Sequence, residues 1–211
     1  MKMSTLMKRL RLEDKRFITS SELKSYCASM KLDYDTTVRY FESRREIIRI
    51  FRGVFYVRSL DEVKLGRAGR NHLELVARGL QIKGVKKWYF GLHTALKLNN
   101  MTHEHYTVDE VVTDSLFRAK PMTISGHKFR FIKLSPALFD FGIIEKDGLR
   151  FSDPEKTILD FIYVWRYNGI PEERIVGDLS DWTGIVSWAT MARYARKYPA
   201  TVLKTVKEAS E

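Results

Sequence analysis

The chain has little cysteine, no long apolar run and no glycine-rich phosphate loop. One thiol, Cys27, stands alone in 211 residues, so neither a disulfide framework nor a thiolate metal cluster can form within one chain. A reducing, cytoplasmic setting is expected. No apolar stretch reaches the length that spans a bilayer, and Met1-Lys2-Met3-Ser4-Thr5-Leu6-Met7-Lys8-Arg9-Leu10 lacks the continuous apolar core of a signal peptide. Internal repeats and low-complexity runs are missing too. With 44% hydrophobic and 12% aromatic residues, the chain has the make-up of a globular protein with room for one large or two small cores.

Acids are also scarce. Lys and Arg number 37 against 26 Asp and Glu, a net charge of +11. Residues 1–59 hold 14 basic side chains against 7 acidic, whereas residues 60–211 hold 23 against 19. A basic excess alone often serves only solubility. Concentrated on one segment, it favours a polyanionic partner.

That segment has a definite order. A first helix is expected over residues 4–11, and Thr19-Ser20-Ser21-Glu22 can cap a second over residues 21–30. Asp33 can cap a third over residues 34–45, with Tyr34, Val38 and Phe41 inward. Two β-branched and aromatic runs, Glu46-Ile47-Ile48-Arg49-Ile50-Phe51 and Val54-Phe55-Tyr56-Val57, flank Arg52-Gly53 and read as a β-hairpin. Three helices followed by a basic hairpin is the order of a winged helix-turn-helix, which lays one helix in a DNA major groove and a wing on the phosphates. The face of the third helix opposite its core carries Thr36, Arg39, Tyr40 and Ser43, suited to thymine methyls, guanine edges and phosphates. Thr37 adjoins them and joins the candidate set, and Arg44, Arg45, Arg49 and Arg52 extend the charge into the wing.

Residues 60–87 read as a linker carrying a helix, with Gly66-Arg67-Ala68-Gly69-Arg70-Asn71 as a break and the domain boundary between Ser59 and Asn71. Residues 88–211 read as a mixed α/β domain. A strand end and helix are expected around Tyr89-Phe90-Gly91-Leu92, a strand over residues 106–113, and hairpins at Gly126-His127 and Asp147-Gly148. Asp153-Pro154-Glu155 opens a long helix, and a helical tail follows. The expected class is α+β: a winged helix-turn-helix domain, then the mixed domain with its C-terminal helices.

Three stretches carry a resemblance to a known family. Tyr89-Phe90-Gly91-Leu92-His93-Thr94-Ala95-Leu96 with Leu98-Asn99-Asn100-Met101-Thr102 resembles the opening of the C-terminal domain of AbiEi-type antitoxins. Phe151-Ser152-Asp153-Pro154-Glu155-Lys156-Thr157-Ile158-Leu159-Asp160 is similar to that domain's S-x-P-E-R-T-(I/L)-L-D signature, with Lys156 where Arg is usual. Arg52-Gly53-Val54-Phe55-Tyr56 suits the family's G-x-Y wing. The resemblance covers residues 17–168 and is weaker beyond Asn168. It implies a transcriptional regulator of a type IV toxin–antitoxin or phage-defence operon that binds inverted repeats upstream of its own genes as a repressor. The functional partner it implies is a nucleotidyltransferase toxin, counteracted without a stable complex.

The second domain offers weaker chemical signals. His103 and His105 with Glu104, Asp109 or Glu110 could ligate a metal, but isolated His-x-His pairs are usually surface residues. His93 suits a hydrogen-bonded boundary position. Asp153, Glu155 and Asp160 could form an acidic cluster, yet no nucleophile or metal triad accompanies them, and buried hydrogen bonding is favoured. Trp165, Trp182 and Trp188 with Tyr163 and Tyr167 suit a core, a subunit interface or a stacking surface. A homodimer would match an inverted repeat, as would monomers bound side by side. The expectation is a DNA-binding regulator with no catalytic residue, metal, cofactor or membrane partner. A ligand-responsive winged-helix repressor and a nucleic-acid-processing enzyme with a DNA-binding module are the alternatives.

Overall fold

Polar caps start the second and third helices, and apolar residues three and four apart fix the inner faces of the first three. The computed structural model describes residues 2–118, 120–179 and 182–210, and among them it has ten α-helices and two β-sheets in a mixed α/β arrangement. The chain divides into two compact units, Met1–Val85 with Thr123–His127, and Lys86–Met122 with Lys128–Glu211. No helix among the described residues is long and apolar enough to cross a membrane.

In the first unit, α1 (Lys2–Leu12) buries Leu6, Met7 and Leu10. β1 (Phe17–Thr19) leads into α2 (Ser20–Ser29) through a reciprocal cap. Glu22 N–H donates to Thr19 Oγ1 at 3.2 Å, while Thr19 N–H donates to the Glu22 carboxylate at 2.9 Å. α3 (Tyr34–Ser43) starts at Asp33, whose carboxylate accepts the Thr36 N–H at 2.8 Å. β2 (Ile47–Phe51) and β3 (Val54–Val57) form the antiparallel hairpin, turned by Gly53 at φ 81°. β1 pairs with β3, so the sheet order is β1-β3-β2. Leu10, Ile18, Leu23, Val38, Phe41 and Phe55 fill the core between helices and sheet. β1 had no signature of its own, because three residues are too few for a period-two pattern.

The first unit runs on to Val85 instead of ending at Ser59. The segment expected as a linker carrying a helix holds α4 (Leu60–Lys64) and α5 (His72–Ile82). α5 buries Leu73, Leu75, Val76 and Leu80, and its Gly79 lies so near β2 that a Cβ would sit 2.7 Å from Ile50 and 2.8 Å from Phe51. The glycine segment before α5 is fastened by Glu62. This buried carboxylate accepts the Tyr56 hydroxyl at 2.5 Å, the Ser59 N–H at 2.6 Å and the Gly69 N–H, with Arg16 Nη1 at 3.3 Å.

The larger sheet and its first helix comprise β4 (Trp88–Phe90), α6 (Leu92–Leu98), β5 (Val108–Thr113), β6 (Met122–Ile124), β7 (His127–Lys133), β8 (Ile143–Lys146) and β9 (Leu149–Ser152), all in the second unit except the residues within Thr123–His127. Helices α7 (Pro154–Tyr167), α8 (Glu172–Leu179), α9 (Trp188–Ala195) and α10 (Ala200–Ser210) follow. The sheet order is β6-β7-β5-β4-β9-β8; β4 runs antiparallel to β5 and parallel to β9, and β5 runs parallel to β7. Tyr89, Leu96, Val112, Ile158, Ile162 and Val202 belong to one core.

A charged pair lies inside that core. Lys156 Nζ stands 3.3 Å from Asp160 Oδ1 with neither side chain exposed. Tyr198 Oη donates to the same carboxylate at 2.6 Å and Tyr89 Oη at 2.7 Å, while Lys156 Nζ donates to Tyr198 Oη at 3.1 Å. The ammonium also faces the rings of Tyr89 and Phe141 at 4.8 and 4.7 Å.

Replacing Lys156 with Met leaves the buried Asp160 carboxyl without its cation, so the loss in urea denaturation should be about 3–5 kcal/mol. The double change Lys156→Met with Asp160→Leu should cost clearly less than the two single changes summed. Additive losses would mean that the pair is not coupled. A second test concerns Tyr56, whose hydroxyl is pushed up to about 12 by burial first and Glu62 second. The folded state holds that proton more tightly than the unfolded chain, so the stability it contributes is complete below pH 10 and lost as pH rises to about 12. Tyr56→Phe should flatten the decline in urea midpoint across that window.

Candidate nucleic-acid interface

α3 presents two faces of opposite character. Inward, Val38 and Phe41 are buried, and Tyr34 lies half-buried with its hydroxyl donating to Ser20 Oγ at 2.9 Å. Outward, Thr36, Arg39 and Ser43 are exposed. Tyr40 lies between the faces, half-buried, with its ring tilted against Phe41 at 5.9 Å and the Arg44 guanidinium 5.5 Å above it. Arg45 closes the helix in the left-handed region at φ 55°, and its carbonyl accepts Arg58 Nη1 at 3.4 Å.

Thr37 is the one candidate that the structure turns inward. It is fully buried, and its hydroxyl donates to the Asp33 carbonyl at 2.6 Å. It stands three residues after Tyr34 and four before Phe41, so helical periodicity puts it on the core face. The internal hydrogen bond lets a polar side chain stay there.

The arginines divide according to partner. Arg49, although exposed, donates to the Glu42 carboxylate at 3.0 Å and lies 4.9 Å over the Phe55 ring. Arg39, Arg44, Arg45 and Arg52 are exposed, and among the described residues none of them is in an ion pair. Arg39 Nε donates to the Asp35 carbonyl at 3.4 Å. Lys24, absent from the sequence-based set, lies 5.2 Å over the Tyr34 ring, which brings a further cation beside the start of α3. Its exposed position on α2 was visible in the sequence; its nearness to Tyr34 depends on how the two helices cross.

In the second unit the acidic candidates are committed to structure. Asp153 caps α7 by accepting the Lys156 N–H at 2.7 Å and also takes the Tyr194 hydroxyl at 3.1 Å; burial pushes its carboxyl above the usual range. Glu155 accepts the Ser187 N–H at 2.9 Å, and Asp160 is held by Lys156 and two tyrosines. His103 and His105 are exposed, and among the described residues neither joins a group of three side chains close enough to share a metal ion. His93 Nδ1 lies 2.9 Å from the buried Glu110 carboxylate, and its ring packs against Tyr106 and Phe161. Trp165 and Trp182 pack on Phe161, whereas Tyr167 is 85% exposed.

The whole fold has a counterpart among solved structures. It resembles the crystal structure of the RV2827C protein from Mycobacterium tuberculosis, with a TM-score of 0.62 over 99% of this chain and 75% of that one. At 13% identity the likeness speaks for the fold alone. No family model matches the sequence, and no curated protein matches it.

The two threonines of α3 give a direct check on its faces. Thr37→Lys buries an unpaired charge and should lower stability by more than about 3 kcal/mol. Thr36→Lys, one residue away on the open side, should stay within about 0.5 kcal/mol of wild type. Comparable melting temperatures for the two variants would overturn the assignment.

Proposed function

We propose that this chain is a sequence-specific regulator that binds double-stranded DNA through a winged helix-turn-helix and represses its own operon in the cytoplasm. The element order supports this reading: a helix, a strand, two capped helices and a two-stranded hairpin whose sheet is closed by the first strand. One observation carries most of the weight. Arg39, Arg44, Arg45 and Arg52 lie exposed on α3, its end and the hairpin turn, with no ion pair among the described residues, next to exposed Thr36 and Ser43.

In this reading α3 enters the major groove with Thr36, Arg39 and Tyr40, while Arg44, Arg45 and Arg52 neutralise phosphates. Arg49 joins them once Glu42 releases it. The resemblance to AbiEi-type antitoxins adds the biological setting: a type IV toxin–antitoxin operon with inverted repeats as operator and a nucleotidyltransferase toxin as functional partner. The committed hydrogen bonds of Asp153, Glu155 and Asp160 favour a structural over a catalytic part for them.

The test is a salt-titrated binding assay on DNA upstream of the protein's own gene, against scrambled duplex of equal length. Tight binding confined to the upstream duplex is expected; equal weak binding to both would sink the regulator. Arg39→Ala should cost about 1–3 kcal/mol and relax sequence preference. Arg52→Ala should weaken all duplexes alike and lower the salt slope by about one. Glu42→Gln frees Arg49 and should tighten binding, with a steeper salt dependence; unchanged affinity would remove Arg49 from the interface.

A further inference from the structure

The second unit contains an open cleft of about 600 Å³ between the end of β7, the segment after β5 and the last turn of α7. That volume lies within the ~300–1,000 Å³ typical of small-molecule sites. Its lining is chemically one-sided. Phe117, Tyr163 and Tyr167 contribute aromatic surface and Arg118, Arg130 and Lys133 contribute positive charge, while no Asp or Glu is among the described lining residues.

Two of these aromatics are costly to leave as they are. Phe117 is 68% and Tyr167 85% exposed, and among the described residues neither stacks on another ring. Large aromatic surface in water at the rim of a concave site marks a place where a flat apolar partner gains most by docking. The cations point to the rest of the ligand. Arg118 and Lys133 are exposed, with no ion pair among the described residues. Arg130 has Glu110 at 3.6 Å, and that carboxylate already receives His93, so the guanidinium keeps donors to spare.

A ligand that satisfies both halves needs a planar ring and more than one negative charge. We infer that this cleft binds a nucleoside di- or triphosphate, the base stacking on Tyr167 and Phe117 and the phosphates meeting Arg118, Arg130 and Lys133. A smaller aromatic acid would leave most of the volume and two of the three cations unused. Asn168, at the same rim, can reach the base edge through its amide. The inference draws on residues of the second unit alone and stands apart from the DNA-binding reading.

Isothermal titration of the full chain with ATP and with GTP tests it, with pyrophosphate, adenosine and a single-stranded oligonucleotide as parallel arms. Saturable one-to-one binding of at least one nucleotide below about 1 mM is expected, tighter than pyrophosphate or adenosine by about tenfold or more. Tyr167→Ala and Arg118→Ala should each weaken it by about tenfold, Tyr167→Phe should retain it, and Arg39→Ala should not alter it. Both positions are exposed, so melting temperatures should stay at the wild-type value. Absence of saturation, or pyrophosphate binding as tightly as the nucleotides, overturns the proposal. Preference for the oligonucleotide overturns it in favour of a strand-binding groove. Wild-type affinity in both alanine variants overturns the location.

Discussion

Lys156 and Asp160 stand one helical turn apart on α7 with both side chains sealed from water, and such a pair is tolerated only when its remaining bonding capacity is used. Burial lowers the lysine's pKa, and Asp160 opposes that shift. The bonding capacity is taken up from three directions: Tyr89 from β4, Tyr198 from just before α10, and the Phe141 ring from just before β8. Burial also raises the hydroxyl pKa of both tyrosines far above the ordinary value, with Asp160 adding to it, so they remain donors. Next to Phe141, Gly142 has no room for a side chain, since a Cβ would lie 2.8 Å from Lys156 Cβ. Sheet and helices of this unit thus share one polar centre, and a slip in any of them would leave a buried charge unpaired.

The first unit uses a similar device around one buried carboxylate and a half-buried arginine. Glu62 joins Arg16 beside β1, Tyr56 in β3, the start of α4 and the Gly69 loop. Four different donors converge on one carboxylate, which holds the segment after the hairpin against the sheet. α5 then covers the hairpin strand β2 with apolar side chains, so the hairpin is supported from behind while its turn stays exposed.

Carboxylates also decide which cations remain available to a partner. Arg9 is taken by Glu13, Lys15 by Glu22, Arg16 by Glu62 and Arg49 by Glu42. In the first unit's α3, its end and the hairpin turn, Arg39, Arg44, Arg45 and Arg52 have no ion pair among the described residues. Exposed pairs of this kind are weak, so Glu42 can yield Arg49 to a phosphate at small cost.

Features written within four residues were readable from the sequence. Thr19 with Glu22, Asp33, and Asp153 before Pro154 start helices where expected, and Arg52-Gly53 turns the hairpin. Such caps and turns close their own hydrogen bonds locally and need nothing from the rest of the chain. The outward placement of Thr36, Arg39 and Ser43 follows from the helical period, and the same period argues against Thr37. Other features had no local signal. β1 exists because β3 offers it a register, α5 belongs to the first unit because Gly79 lets it approach β2, and Arg49 is neutralised because Glu42 stands opposite it. Lys156 reads in the sequence as a charge near a helix start; it becomes the centre of a core only when Tyr89, 71 positions from Asp160, closes over the same carboxylate. Local chemistry determined the elements. Which side chains are buried, paired or left open was decided by contacts between residues far apart in the chain, because only the closed fold brings their donors and acceptors together.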